Sequence, residues 1–234
     1  MPVMSLLLAS ASPARAGLLR AAGVQPHIQP ADIDEDAVLA ASHAGGHPPP
    51  AREAVAVLAR AKAEHVAESG PSADLILGCD SLLELDGETL GKPGTADVAR
   101  ERWRRMRGRT GVLHTGHWLI RTAQTARPAA AAAHHRVSTE PLAATAGAVA
   151  AGAVAAGAVS STTVTFADIT DVELEAYLAT GEPLAVAGGF TIDGRGGAFV
   201  RRIEGDHHTV VGLSLVTLRA LLTEVGCRWI DLWA

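Results

Sequence analysis

The chain has 234 residues, 48% of them hydrophobic, and a formal net charge of −5. That length supports one substantial core or two lobes sharing a sheet. The negative balance argues against a general DNA or RNA surface, which depends on many phosphate-neutralising cations. Two cysteines make no disulfide framework, and no segment reaches the roughly 20 apolar residues of a membrane span. No membrane partner and a reducing cytoplasm are therefore expected.

Residues 4–9 read as the first strand. Ser12 is placed to cap a helix, Pro13 to open it, 14–22 to form its body and Gly23 to stop it. Residues 24–30 return as an extended segment leading to the acidic run Asp32-Ile33-Asp34-Glu35-Asp36. After a looser stretch, 43–50, a helix is expected over about 51–69, with Val55, Leu58, Ala59 and Lys62 at helical spacing. Residues 74–78 form a short apolar strand ending at Cys79-Asp80. A hairpin about Asp86-Gly87 takes up 82–90. In the helix expected over 95–106, arginines make the wet side and Trp103 with Met106 the apolar contact. Strand character returns over 112–121, with Trp118 and Ile120 on one face and Leu119 on the other.

Residues 122–158 are Ala-rich and repeat Gly-Ala-Val at 147, 152 and 157. A period of five suits neither strand nor helix, so a low-complexity Ala/Gly excursion is expected there. Regular sequence resumes with a strand at 162–166 and a helix over 172–179 opened by Asp171. Strands at 190–192 and 198–203 flank a glycine turn, and 210–213 lead into a last helix at 215–225. Strands alternating with helices, with hairpins between them, indicate an α/β fold with a mixed central sheet flanked by helices.

Of the 20 basic residues only Lys62 and Lys92 are lysines; the other 18 are arginines. Each lysine is either an ordinary surface residue or a site that needs a compact ammonium, which a planar guanidinium does not imitate. Near the N-terminus, Ser10, Ser12, the free N–H groups of a helix start and Arg15 make a sufficient anion cradle, although a plain helix cap explains the same residues. Asp80 closes an apolar strand, where a carboxylate has a rigid base and reaches the crevice at the sheet's edge. Glu35 is the natural second acid. Two carboxylates, phosphate oxygens and water suit Mg²⁺ or Mn²⁺. Zinc is disfavoured: His134-His135 lie in the Ala-rich stretch, and His207-His208 would point apart on a strand. Cys79 reads as a small buried side chain. There is no Walker loop, and the glycine clusters at 188–189 and 194–197 do not form a dinucleotide fingerprint.

The ordered set LLLASASPAR (6–15), DIDED (32–36), LARAKA (58–63), LILGCDS (75–81), GETLGKP (87–93), MRGRTGVLHTG (106–116), TTVTF (162–166), 176–206 and VVGLSL (210–215) resembles the Maf family of nucleoside triphosphate pyrophosphatases. The resemblance spans nearly the whole chain as a single domain and leaves 122–158 uncovered. It implies an inosine-triphosphatase-like mixed-sheet fold with two lobes around a nucleotide cleft, a metal-dependent cut between the α and β phosphates, and a homodimer. It assigns Asp80 as the catalytic acid and metal ligand, with Glu35 as a second metal ligand. Ser10, Arg15, Lys62 and Lys92 would contact the triphosphate, and Ser81 and Asp193 would approach the base.

The chain departs from the family pattern at four places, as an actinobacterial branch of the family does. Ala14 stands for an arginine, Val186 for a lysine, Asp193 for a glutamine, and His207-His208 follow Gly-Asp where a tyrosine is usual. An aspartate at 193 cannot donate an amide hydrogen to a base carbonyl, so a pyrimidine preference is not implied. The alternative reading is a nucleotide-binding regulator of cell division with little catalysis. The cations missing at 14 and 186 favour it; the retained Asp80, Glu35, Lys62 and Lys92 oppose it.

Overall fold

The structure is a computed structural model that describes residues 3–43, 49–123 and 152–233. Its centre is a mixed seven-stranded sheet: β1 (Leu6–Leu8), β2 (His27–Ile28), β3 (Leu75–Leu85), β4 (Glu88–Leu90), β5 (Thr110–Arg121), β6 (Val154–Phe166) and β7 (Val200–Glu204). The order is β2-β1-β3-β5-β6-β7, with β4 paired to β3. The β1 pairs are parallel and the pairs from β3 onward are antiparallel.

Alternation along the long strands sends odd and even residues of β3 to opposite faces. Leu75, Leu77 and Cys79 join a core with α1 (Pro13–Ala21) and α7 (Leu215–Glu224). Further along the same face, Leu83 and Leu85 join a second core with α4 (Ala96–Met106) and α5 (Asp171–Ala179), built around Trp103, Phe166 and Tyr177. On the opposite face Ile76 packs with Trp118, Ile120 and Ala59 of α3 (Ala51–Glu68). The fold is therefore the mixed-sheet α/β arrangement expected, with two lobes that share β3, β5 and β6.

Several boundaries differ from the sequence reading. The strand expected at 74–78 does not stop at the acids, because β5 pairs with it continuously from Leu75↔Arg121 to Glu84↔Val112. The strand expected at 162–166 begins at Val154, inside the stretch read as an excursion. Gly157 shows why small residues recur there: a Cβ would lie 2.2 Å from the Trp118 ring on the neighbouring strand. Residues 124–151, including His134-His135, lie outside the described residues.

The strand expected at 190–192 is absent. Gly188 and Gly189 turn the chain with positive φ, and the Thr191 N–H donates to the Tyr177 hydroxyl rather than to a strand. The strand expected at 198–203 is Val200–Glu204, preceded by a 3₁₀ turn at Arg195–Phe199. His207 and His208 are in the short helix α6 (His207–Val211), not on a strand. Like α6, the helix α2 (Glu35–Ser42) was not expected; Asp34 caps it through the Ala37 N–H, and Glu35 and Asp36 favour its positive end. Among the described residues, no helix is long and apolar enough to cross a membrane.

Candidate active site

The site begins as a gap in strand pairing. One edge of β3 pairs with β5 along almost its whole length. The other edge pairs with β1 at Leu75–Leu77 and with β4 at Leu83–Leu85, leaving 78–82 without a strand partner. The chain leaves β1 at this point, after the Ala9 N–H donates to the Leu77 carbonyl at 2.8 Å. A cleft of about 1230 Å³ opens over this gap. Ser10, Arg15, Glu35, Lys62, Asp80, Ser81, Lys92 and Asp193 all line it. Asp80 thus lies within a strand and is reachable because β1 ends beside it.

Two glycines bring Lys62 to Asp80. A Cβ at Gly78 would lie 2.0 Å from the Ala59 carbonyl oxygen, and one at Gly116 would lie 2.1 Å from that of Val55. Their absence lets α3 rest directly on β3 and β5, close enough that the Lys62 ammonium meets both acids. Lys62 Nζ lies 2.5 Å from Asp80 Oδ1 and 2.6 Å from Glu35 Oε1. Burial pushes the Asp80 carboxyl above its ordinary range, and Lys62 and then Arg15 draw it partly back. Asp80 is nearly inaccessible to bulk water, whereas Glu35 is exposed at the start of α2.

On the other face of β3, one residue further, the chemistry is different. Arg15 is buried and makes no ion pair among the described residues. Its Nε donates to the Gly212 carbonyl at 2.7 Å, Nη1 to Ser10 Oγ at 2.9 Å and to the Cys79 carbonyl at 3.0 Å, and Nη2 to Ser81 Oγ at 2.9 Å. Four of the five N–H groups of the guanidinium are committed to neutral acceptors. Cys79 is fully buried and its thiol is pushed up to about 12 by desolvation, so it stays protonated and inert.

Lys92 is exposed, and its ammonium makes no ion pair among the described residues. The loop beneath it is pinned: Arg102 Nη1 donates to the Gly91 carbonyl at 2.6 Å, and the Gly94 N–H to the Leu184 carbonyl at 3.0 Å. Asp193 projects from a loop held by Glu182, whose carboxylate accepts from the Thr191 hydroxyl and, at 3.2 Å, from the Gly196 N–H. Ala14 and Val186 line the cleft without charge, and His207 and His208 of α6 line it as well.

Sequence reasoning missed the partners of Arg15. Ser81 shares a hydrogen bond with Thr115 Oγ1 at 2.9 Å, and Thr115 donates to the Thr209 carbonyl at 2.9 Å. The only signal for Thr115 was a polar residue inside an apolar strand, and nothing local tied it to Thr209. Among the described residues no group of three or more His, Cys, Asp or Glu converges on one point. The acids that do converge are two, Glu35 and Asp80, both on Lys62.

The model of the Maf-like protein family matches residues 5–225. This chain belongs to the Maf family. Similar Maf proteins include one from Leifsonia xyli subsp. xyli, 48% identical over 98% of this chain and 97% of that one. Another, from Rhodococcus jostii, is 47% identical over 98% and 96%. A third, from Streptomyces coelicolor, is 45% identical over 100% and 96%. Each of the three is named nucleoside triphosphate pyrophosphatase. The match extends across both Maf lobes, from β1 to the end of α7.

Proposed function

We propose that this chain hydrolyses nucleoside triphosphates to the nucleoside monophosphate and pyrophosphate. The observation that supports this most directly is the meeting of Asp80, Glu35 and Lys62 at the gap in β3, in one cleft with Lys92. A polyphosphate needs cations at separate points along its length, and the two lysines of the cleft come from different elements, α3 and the segment after β4. Near-full-length similarity to the relatives named above supports the same chemistry.

Asp80 holds a water by hydrogen bonding and accepts its proton as the water attacks the α-phosphorus. Burial raises its basicity, which brings it closer to what a general base needs at neutral pH. Lys62 and Lys92 bind the phosphoryl oxygens and offset the charge that gathers on them in the transition state. Ser10 donates its hydroxyl to a phosphate oxygen at the end of β1. Asp193, which lines the same cleft, would approach the base, and as a carboxylate it can only accept hydrogen bonds from the nucleobase.

The donor set fits a hard divalent cation such as Mg²⁺ or Mn²⁺. Two carboxylate oxygens already converge on a single cation, Lys62 Nζ, and oxygen donors are what these metals prefer. When bound there, the metal would supply Lewis-acid charge neutralisation at the phosphoryl oxygens. With only two carboxylates, its other ligands would be substrate oxygens and water.

The second reading, a nucleotide-binding regulator, draws on the uncharged Ala14 and Val186 in the cleft wall. The experiment that separates the two incubates the chain with each common and modified nucleoside triphosphate plus Mg²⁺ or Mn²⁺ and resolves the products by chromatography. Monophosphate with pyrophosphate, lost in Asp80→Asn, is the expected result. Orthophosphate with a diphosphate, or binding without product, would refute it.

A further inference from the structure

Hydrogen bonds around Arg15 have a fixed direction that can be read from donor and acceptor chemistry alone. A carbonyl oxygen only accepts, so the single hydroxyl proton of Thr115 goes to Thr209 O. Thr115 therefore cannot donate to Ser81, and in the 2.9 Å contact between them Ser81 is the donor. Ser81 in turn accepts from Arg15 Nη2. The sequence of donations is Arg15 to Ser81, Ser81 to Thr115, and Thr115 to the backbone of α6. At the far end of α6 the Gly212 carbonyl accepts from Arg15 Nε at 2.7 Å, which closes the ring.

Two consequences separate the two serines of the cleft. Ser81 has spent its only proton inside the ring. Ser10 Oγ accepts from Arg15 Nη1 at 2.9 Å and from the Ser12 N–H at 3.3 Å, so both its lone pairs are taken. Its own proton has no acceptor among the described residues, and Ser10 lines the cleft. The Arg15 guanidinium forces Ser10 to act as a donor and removes Ser81 from that role.

We infer that Arg15 and Ser81 are positioning residues that act through a closed ring with Thr115 and α6, and that Ser10 alone of the two serines donates to the bound polyphosphate. This rests on the polyphosphate part of the proposed function and departs from the sequence reading, which set Arg15 and Ser81 against the substrate. The ring also fixes α6, whose His207 and His208 face the cleft. Gly212, at φ +115°, supports it; a Cβ there would lie 3.1 Å from Arg15 Nε.

Thr115 makes the inference testable, because it is fully buried and does not line the cleft. Affinity for inorganic tripolyphosphate is measured by calorimetry for the unaltered chain, Ser81→Ala, Thr115→Val, the double variant, Thr115→Ser and Ser10→Ala, with a melting curve for each. A working ring lowers affinity about tenfold in Ser81→Ala and by the same factor in Thr115→Val, as loss of one hydrogen bond does. The double variant is then no weaker than either single one. Thr115→Ser, which keeps the hydroxyl, binds as the unaltered chain does, and Ser10→Ala weakens binding independently of the ring.

If Ser81→Ala weakens binding while Thr115→Val stays within twofold of the unaltered chain, Ser81 is a direct ligand and the inference fails. It fails equally if the two losses multiply, or if neither variant loses affinity. Thr115→Ala takes the place of Thr115→Val if that variant does not fold. Absence of tripolyphosphate binding by the unaltered chain would overturn this inference together with the polyphosphate reading. Binding without the expected hydrolysis products would overturn only the hydrolytic part.

Discussion

Asp80 and Ser81 are neighbours on β3, yet they serve the cleft from opposite faces by opposite means. Asp80 faces α3 and is held by charge: a buried carboxylate, an ammonium and a second acid. Ser81 faces α1 and α6 and is held by hydrogen bonds from a guanidinium with only neutral partners. A charge-held group responds to pH, to cations and to a charged ligand. A hydrogen-bonded ring with no carboxylate keeps its geometry across those changes. One face of the strand is thus suited to reacting and the other to holding position.

The largest effect that would sharpen this contrast is expected from Asp80→Asn. Loss of the proposed general base should lower turnover on the order of 10³-fold. The same variant should melt no lower than the unaltered chain. Burial raises the Asp80 pKa, so its ionisation costs stability as pH rises through that value, and a neutral amide removes the cost. A rate left intact, or a clear drop in melting temperature, would break the distinction.

Next comes acid sensitivity, from a residue on the positioning face. Burial, with Arg15 nearby, lowers the His117 pKa from 6.5 to about 4, which keeps the ring neutral. Its Nε2 accepts from the Ser214 N–H at 2.9 Å and so holds the start of α7. The unfolded chain takes up a proton below about 6.5 and the folded one does not. Stability should therefore fall as pH drops from 6.5 towards 4, by about 3 kcal/mol over that window. Urea unfolding at several pH values should show this slope, and His117→Gln should flatten it.

Gly78→Ala should cost about 2–3 kcal/mol, because the added carbon meets a backbone oxygen that cannot rotate away. It should also separate Lys62 from Asp80. Gly17→Ala in α1 is the control: a Cβ there meets nothing within 4 Å, and a helical Ala should stabilise by about 0.5–1 kcal/mol. Denaturant midpoints of the two variants should move in opposite directions.

In turnover a smaller change than that of Asp80→Asn is expected from Lys62→Met, about 10- to 100-fold, the worth of a charge-assisted hydrogen bond. Lys62 is the largest influence drawing the Asp80 pKa down, so the acid limb of the pH–rate profile should move to higher pH. An acid limb that stayed in place would detach Lys62 from Asp80 in function.

What could be read in advance follows the range of the interaction. Ser12, Pro13 and Gly23 marked α1 because capping and helix termination act within a turn. Asp34 makes the same signal for α2 through the Ala37 N–H, but the helix it opens is short and has no buried residue, so no apolar periodicity accompanies the cap. Alternation in β5 correctly set Trp118 and Ile120 against Leu119. The strand expected at 190–192 failed for the complementary reason. Phe190 is apolar and buried, but the Thr191 N–H is taken by Tyr177, a partner 14 residues away that no local pattern reveals.

By itself the sequence determined the class of fold, the ordered family motifs and the residue types that line the cleft, since periodicity and motif spacing are written along the chain. Only the tertiary structure decided which of those residues share a face. Lys62 meets Asp80 because two glycines let a helix settle onto the sheet. Arg15 turns to neutral acceptors because Gly212, 197 residues away, returns beside it. Contacts of that kind depend on how close two backbones can approach, and no one-dimensional pattern records that distance.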